Sequence, residues 1–150
     1  MKQFLFFLTF IVLTVTGNAQ TATDSIKITI GKLFDGMKNS DAALLKAAFA
    51  DNAILQTITK DKAGKTIIEN DRVEEFADII SKMPKGDGDE RITYDVIKID
   101  GPLAIVWAPY KFYYKGVFSH CGIDSFQLVR INGVWKIQYL IDTRRKDNCL

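Results

Sequence analysis

The chain has 150 residues, of which 47% are hydrophobic and 25% charged, and its formal net charge is +2. This length suits one domain with one hydrophobic core and is too short for two ordinary domains. The hydrophobic content is too high for a disordered protein. The near balance of charges argues against a general nucleic-acid-binding protein, which would carry a strong basic excess. Composition therefore predicts a soluble globular domain and points to no particular chemistry.

The N-terminus has the pattern of a targeting segment. Lys2 precedes a hydrophobic run from Phe4 to Val15, and small residues then lead to a cleavage point after Ala19. A permanent membrane helix needs about 20 apolar residues, so the run favours a signal peptide over a stable membrane anchor. An uncleaved N-terminal anchor is the alternative. We expect residues 1–19 to be removed and residues 20–150 to form one exported domain, periplasmic or secreted.

The next segment is predicted to be largely helical. Hydrophobic residues at 3.6-residue spacing predict a helix over 25–38, with Asp24 or Ser25 as its N-cap. Ser40 is expected to cap a second helix over 41–49. The elements predicted to follow are a strand over 53–59, a return strand over 65–69, and a third helix over 71–82 with Asn70 as its cap.

The last third of the chain alternates strands and turns. The predicted strands cover 91–99, 103–114, 117–131 and 134–142. Asn132-Gly133 between the last two is the strongest short-range hairpin signal that a sequence offers. The resulting order, ααββαββββ, predicts an α+β fold with a curved antiparallel sheet and helices packed on one of its faces.

This order and several motifs resemble the nuclear transport factor two-like superfamily. The motifs are Gly-x-x-Ser-His-Cys-Gly at Gly116 to Gly122, Asp124 to Leu128, Trp135-Lys136-Ile137 and Asp142 to Arg145. Within the superfamily, the chain is most similar to the exported bacterial SnoaL-like, "putative lumazine-binding" type, over roughly 24–146.

The resemblance implies a cone-shaped cystatin-like or SnoaL-like domain, in which a curved sheet wraps around the helices and a central pocket. It also implies pairing as a homodimer through the sheet. It does not imply one activity, because this scaffold hosts isomerases, dehydratases, cyclases, transport adaptors and proteins with no known reaction.

Strand pairing predicts which side chains face the pocket. A two-residue turn at Asn132-Gly133 puts Phe126 opposite Tyr139, and it puts Asp124 opposite Ile141 on the same hydrophobic face. Farther along this face, His120 is predicted opposite Arg145. The face therefore changes from hydrophobic near the hairpin to polar at its far end, as in a pocket with a polar anchoring end.

Turns at Lys115-Gly116 and Asp100-Gly101 extend this row to Trp107 and then to Tyr94. The row therefore places Trp107 beside Asp124. Pro109 warns of a bulge, and a slip of one residue would move these side chains to the other face.

Asp124 and Tyr94 are the candidate catalytic residues. A carboxylate on an aromatic-lined, hydrophobic face has a raised pKa and could act as a general base or acid. Tyr94 could donate a hydrogen bond to an oxyanion. The alternative is that Asp124 only braces the sheet, through Tyr94, Thr143 or Arg145. The candidate ligand-binding residues are Trp107, His120, Phe126, Tyr139 and Arg145.

The remaining motifs favour structural roles. His120 is the only histidine, so a multi-histidine metal site is excluded, and we expect neither a metal nor a cofactor. Cys121 and Cys149 are predicted to form a disulfide that pins the C-terminal tail, since a redox pair would favour Cys-x-x-Cys. The arginines of Asp142 to Arg145 would either bind an anion or pair with local carboxylates.

Three functions fit these observations. The first is an exported, non-catalytic protein that binds a small, flat, hydrophobic or aromatic ligand. The second is a cofactor-free isomerase or dehydratase with Asp124 as general base. The third is a dimeric protein-interaction module that works through its sheet. All three predict no nucleic-acid partner and no stable membrane anchor.

Overall fold

A computed structural model of the protein describes residues 21–149, so the predicted signal peptide and its cleavage point lie outside the described residues. The helices are α1 (Ala22–Asn39), α2 (Ala42–Ala47) and α3 (Val73–Ser81). The strands are β1 (Phe49–Lys60), β2 (Thr66–Asp71), β3 (Gly88–Ile92), β4 (Val96–Asp100), β5 (Leu103–Tyr114), β6 (Val117–Ile131) and β7 (Val134–Thr143). Among residues 21–149, no helix is both long and hydrophobic enough to span a membrane.

The ends of α1 and α2 differ from the predicted ones because other side chains satisfy their free backbone groups. Thr21 Oγ1 accepts a hydrogen bond from the Asp24 amide at 3.1 Å, so neither Asp24 nor Ser25 is the N-cap of α1. Ser40 ends α1 in the left-handed conformation, with φ of 57°, instead of capping α2. Asp41 caps α2 by accepting from the Leu44 amide at 2.9 Å.

Helix α3 begins later than predicted. Asn70 remains in β2, paired with Gln56 of β1, and therefore does not cap the helix. Arg72 precedes the helix and makes no side-chain cap hydrogen bond.

The strands form one sheet in the order β2-β1-β7-β6-β5-β3, with β4 also paired to β5. β1 runs parallel to β7, and every other pair is antiparallel. The single strand predicted over 91–99 is divided into β3 and β4. Residues 93–95 bulge out opposite Pro109, which has no N–H to donate to the ladder.

The hydrophobic core lies between the inner face of the sheet and the helices. Helix α1 contributes residues at helical spacing, and the sheet contributes alternate residues of β5, β6 and β7. The members are Ile26, Ile30, Leu33 and Met37 from α1, with Ala104, Val106, Phe126, Leu128 and Ile137 from the sheet. This arrangement confirms the predicted α+β fold class.

Two β-bulges shift the predicted register. An extra residue in β7, Gln138, places Phe126 opposite Leu140 rather than Tyr139. An extra residue in β6, Ser119, places Ser125 rather than Asp124 opposite Trp107. Because side chains alternate along a strand, each one-residue slip exchanges the inner and outer faces beyond it.

Candidate functional site

A cavity of about 100 Å³ lies beside the inner face of the sheet, at the end of β6 and β7 far from their hairpin turn. One wall is hydrophobic and is formed by Leu33, Phe34, Met37, Leu55, Phe76 and Leu140. The rest of the lining carries four carboxyl groups and one guanidinium, and consists of Gln56, Thr57, Asp71, Glu90, Tyr110, His120, Asp124, Asp142 and Arg144. Among residues 21–149, no three His, Cys, Asp or Glu side chains are grouped so as to hold a metal ion.

Neighbouring strands bring the polar groups together. Thr57, Asp142 and Asp124 form one row across β1, β7 and β6, because Asp142 pairs with both of the others. Tyr110 of β5 pairs with Gly122 of β6. A Cβ atom at Gly122 would lie 1.7 Å from the Thr143 carbonyl oxygen and 2.7 Å from the Tyr110 ring. The absence of a side chain there lets Tyr110 reach the end of β7.

Asp142 is held by three neighbouring side chains. Its Oδ1 accepts a hydrogen bond from Thr57 Oγ1 at 2.6 Å, and its Oδ2 accepts from Arg144 Nε at 3.0 Å. The Tyr110 hydroxyl lies 3.2 Å from Asp142 Oδ2 and 2.9 Å from the Thr143 carbonyl oxygen. Arg144 also donates to Thr57 Oγ1 at 3.0 Å, which closes the network. The Asp142 carboxyl group is therefore held in place by hydrogen bonds and by its ion pair with Arg144.

Asp124 has a different environment. Its side chain is 3% exposed, and its buried Oδ2 has no hydrogen-bond partner within residues 21–149. Glu90 of β3 lines the same cavity, and its carboxyl group and that of Asp124 each shift the pKa of the other. Burial of both groups favours a state in which the Glu90–Asp124 pair carries a proton.

The electrostatics of the cavity favour the protonated forms of Asp124 and Glu90. Burial raises the pKa of Asp124 well above its usual value, and the negative charges of Glu90 and Asp142 raise it further. Burial likewise raises the pKa of Glu90 to about 7. Because the two groups interact, their titration belongs to the pair rather than to either residue alone. A pair that carries one proton combines a proton donor and a proton acceptor at one place.

The aromatic groups beside the pair are neutral. Burial, together with the charge of Asp142, raises the pKa of Tyr110, so that it remains a hydrogen-bond donor. Burial and the nearby Arg144 guanidinium lower the pKa of His120, so its imidazole is uncharged at pH 7. Ser119 Oγ lies 3.0 Å from His120 Nδ1.

Of the residues predicted to line the pocket, Asp124 and His120 do so. Tyr94 is not brought to Asp124. It lies in the bulge between β3 and β4, where its hydroxyl donates to the Lys27 carbonyl oxygen at 3.3 Å. Burial raises the pKa of Tyr94 to about 12, but this hydroxyl binds α1 rather than the cavity.

The two bulges move two predicted ligand-binding residues away from the cavity. Trp107 is 46% exposed on the outer face of the sheet. Because of the extra residue Ser119, Trp107 pairs with Ser125 rather than Asp124, so its side chain and that of Asp124 lie on opposite faces. Tyr139 pairs with the exposed Gln127, and its hydroxyl donates to Gln56 Oε1 at 2.6 Å.

Phe126 and Arg145 also lie outside the cavity lining. Phe126 is fully buried in the core, edge-to-face with Phe34 at 6.4 Å between ring centroids. Arg145 Nε donates to the Asn148 carbonyl oxygen at 3.2 Å, and its backbone pairs with Cys121. Arg144 takes the place in the cavity that was predicted for Arg145.

The structure confirms the predicted disulfide between Cys121 and Cys149. It ties the segment after β7 to β6, directly beside His120. The backbone of Arg145 also exchanges two hydrogen bonds with Cys121, at 2.8 and 2.9 Å. The covalent link and this bridge hold the chain just beyond Arg144 in place.

Glu90 and Tyr110 are the main cavity residues that the sequence prediction missed. Glu90 directly precedes the predicted start of a strand at 91, whereas β3 begins at Gly88 and pairs Glu90 with Phe112. If the predicted strand had begun at Gly88, Glu90 would have been assigned to the sheet. Tyr110 was one of several aromatic residues of β5, and only the observed register places it on the inner face.

Comparison with solved structures gives the same fold in several proteins, two of which are described as having unknown function. An NTF2-like protein from Shewanella baltica has a TM-score of 0.64 and 18% identity, covering 83% of this chain and 94% of that one. A cystatin-like-fold protein from Nostoc punctiforme has a TM-score of 0.61 and 17% identity, covering 83% and 93%. An NTF2-like protein from Cytophaga hutchinsonii has a TM-score of 0.61 and 17% identity, covering 83% and 99%.

No curated protein matches the sequence significantly. One family model matches residues 21–139, which include the three helices and most of the sheet. The match covers more than half of the chain and therefore shows the family. The chain belongs to the family described as "Putative lumazine-binding".

Proposed function

We propose that this protein is an exported domain that binds a small molecule in the cavity beside Asp124. The observation that carries the proposal is Asp124, which lines the cavity with a buried carboxyl group whose Oδ2 atom has no hydrogen-bond partner among residues 21–149. An unsatisfied buried polar group costs about 1–3 kcal/mol, and a bound ligand that donates a hydrogen bond would recover this. The description of the family, which names lumazine binding, agrees with a small-molecule ligand.

The shape of the cavity limits the ligand. A volume of about 100 Å³ is well below the roughly 300–1,000 Å³ of pockets that enclose drug-sized ligands. The hydrophobic wall suits a flat, apolar body, and the carboxyl groups suit a donor-bearing head. We expect a ligand that buries little more than one ring.

Native mass spectrometry and fragment screening by NMR test this proposal. Protein purified from an exporting host should retain or bind a small molecule, with chemical-shift changes at the amides of Tyr110, His120 and Asp124. Asp124→Asn should abolish the response, whereas the matched control Asp95→Asn, at an exposed aspartate, should preserve it. A response that survives Asp124→Asn, or a library that produces none at these residues, would contradict the proposal.

Proton transfer is the second candidate function, and the raised pKa values of Glu90 and Asp124, which line the same cavity, favour it. One member can accept a proton from carbon while the other donates to oxygen, as an isomerase or dehydratase requires. A suitable probe is cyclopentanone in D₂O, because its α-hydrogens exchange when a base removes them. Exchange faster than in a Glu90→Gln, Asp124→Asn double variant would support catalysis, and equal rates would exclude it for this probe class.

We further propose that the domain pairs through the outer face of its sheet. Leu103, Ile105 and Trp107 alternate along β5 and are each more than 40% exposed, and Val96 of β4 lies directly beside Trp107. A continuous hydrophobic patch of this kind is typical of an interface. Analytical ultracentrifugation should give a dimer that Ile105→Glu converts to a monomer, whereas Ile79→Glu, at an exposed isoleucine of α3, should leave it intact.

Export is proposed from the N-terminal pattern and agrees with the disulfide, which forms in oxidising compartments. Intact-mass measurement of the protein from an exporting host should show a chain that begins at Gln20. A chain that retains residues 1–19 would overturn the predicted cleavage.

A further inference from the structure

The cavity has an unbalanced charge. Its four carboxyl groups come from four strands: Asp71 of β2, Glu90 of β3, Asp124 of β6 and Asp142 of β7. The one guanidinium, on Arg144, is bound to Asp142 through a 3.0 Å ion pair. The Glu90–Asp124 pair therefore faces the cavity without a cation of its own.

The position of this pair defines where a ligand's polar end would lie. Asp124 sits in the row formed by Thr57 and Asp142, and its 3% exposure removes it from bulk water. The charged or titratable groups near the pair are Asp142, Arg144, Tyr110 and His120, with Asp71 also in the lining, whereas α1 presents only hydrophobic residues. A positively charged donor at this place would meet the Asp124 carboxyl group, whose Oδ2 atom has no partner among residues 21–149, and excess carboxyl groups over cations.

We infer that the ligand of this cavity is a small nitrogen cation with one ring at most, whose charged head binds the Glu90–Asp124 pair and whose body packs on the hydrophobic wall. The inference rests on the proposed ligand-binding function and names its ligand class. Charge-assisted hydrogen bonds to a buried carboxylate are roughly twice as strong as neutral ones, which gives the preference its physical basis.

Binding of such a cation is coupled to loss of a proton. We expect the free pair to carry a proton, because two neighbouring buried carboxyl groups do not both ionise readily. An arriving cation with its own N–H donors replaces that proton as the partner of both carboxylates. The balanced step is the protonated pair plus the cation, giving the ionised pair bound to the cation plus one proton released to solvent.

Three nearly isosteric probes test the inference: benzamidine, benzamide and benzoate, with charges of +1, 0 and −1. Isothermal titration calorimetry should give at least tenfold tighter binding for benzamidine than for benzamide, and weaker binding still for benzoate. A proton released on binding is taken up by the buffer. The binding enthalpy of benzamidine at pH 7.5 should therefore differ between phosphate and Tris by the amount expected for uptake of about one proton.

Substitutions test whether the affinity for benzamidine depends on the Glu90–Asp124 pair or only on the overall charge of the protein. Glu90→Gln should lower benzamidine affinity at least tenfold and remove the buffer dependence, and Asp124→Asn should do the same. The matched control Glu75→Gln, at an exposed glutamate of α3, should change neither. Circular dichroism of each variant would confirm that the fold is retained.

Each contrary outcome has a distinct meaning. Equal or tighter binding of benzamide or benzoate would overturn the cationic class while leaving a ligand-binding cavity in place. If the protein binds Ca²⁺ but none of the three organic probes, and Glu90→Gln abolishes that binding, the ligand is a metal ion rather than an organic cation. If none of the three probes binds while other fragments still shift Tyr110 and His120, the ligand class is wrong and the proposed function stands. If no fragment binds either, both fail.

Discussion

The two halves of β6 share the inner face of the sheet but bury opposite kinds of side chain. Near the hairpin, Phe126 and Leu128 are fully buried in a hydrophobic core. Toward the start of the strand, Asp124 is almost as deeply buried, with an oxygen that lacks a partner in residues 21–149. The first half stabilises the fold, whereas burial of a carboxyl oxygen without a partner in the second half opposes folding.

The largest expected effect is in the hydrophobic half. Phe126→Ala removes a fully buried ring and leaves a cavity, so the free energy of unfolding should fall by about 3–5 kcal/mol. Urea titration followed by tryptophan fluorescence measures this. Gln127→Ala, at the exposed neighbouring residue, should change stability little. A loss below about 1 kcal/mol for Phe126→Ala would remove the contrast between the halves.

The next effect concerns the disulfide at the polar half. In the chain-entropy model, Cys149→Ser should lower the free energy of unfolding by about 3–4 kcal/mol, because it opens a long loop of the unfolded chain. A reducing agent should bring the unsubstituted protein to the stability of the variant and should leave the variant itself unchanged. If the reducing agent destabilises both equally, its effect is not due to this bond.

The pH dependence of stability probes the acid pair directly. Burial raises the pKa of Glu90 from its usual 4.5 to about 7, so between these pH values the folded state binds more protons than the unfolded state. The contribution of Glu90 to the free energy of unfolding should therefore be greatest below about pH 4.5. It should fall by about 3 kcal/mol as the pH rises to about 7. Asp124, whose pKa is also raised, extends this loss to higher pH.

Denaturation at a series of pH values, compared with Glu90→Gln, checks this slope. The variant should show a flatter profile across the same range, because one of the two ionisable groups is gone. A profile identical to that of the unsubstituted protein would mean that Glu90 has an ordinary pKa and that the pair does not share a proton.

The smallest effect is expected for Tyr110→Phe. It removes the hydroxyl shared by Asp142 and the Thr143 carbonyl oxygen, so stability should fall by about 1 kcal/mol. Tyr114→Phe, at an exposed tyrosine of the same strand, is the matched control and should have no measurable effect. A stabilising Tyr110→Phe would indicate that the hydroxyl is itself poorly satisfied.

Local patterns predicted most of the fold. The bounds of β5 and β6 and the hairpin at Asn132-Gly133 agree with the structure, because turn residues and alternating hydrophobic residues are local signals. The predicted change from hydrophobic to polar along the inner face of β6 is also present, with Phe126 at one end and Asp124 and His120 at the other. Helix caps were less predictable, since Thr21 and Asp41 compete with neighbours of similar capping ability.

The composition of the cavity was less accessible to sequence reasoning. Extra residues at Ser119 and Gln138 shift the register by one position each, and neither carries a sequence signal for a bulge. Pro109, which does carry one, affects the pairing of β5 with β3 and β4 instead. As a result Trp107 and Tyr139 lie outside the cavity, while Asp142 lies in it.

The sequence by itself determined the α+β class, the family resemblance and the cysteine pairing, because each depends on residue types, local periodicity or short motifs. Only the tertiary structure decided that Glu90 lies in the same cavity as Asp124 and that Asp142, Tyr110 and Arg144 also line it. These contacts join strands that are distant in the sequence, and their register depends on two bulges. A one-residue slip changes which side chains meet while leaving every local pattern the same.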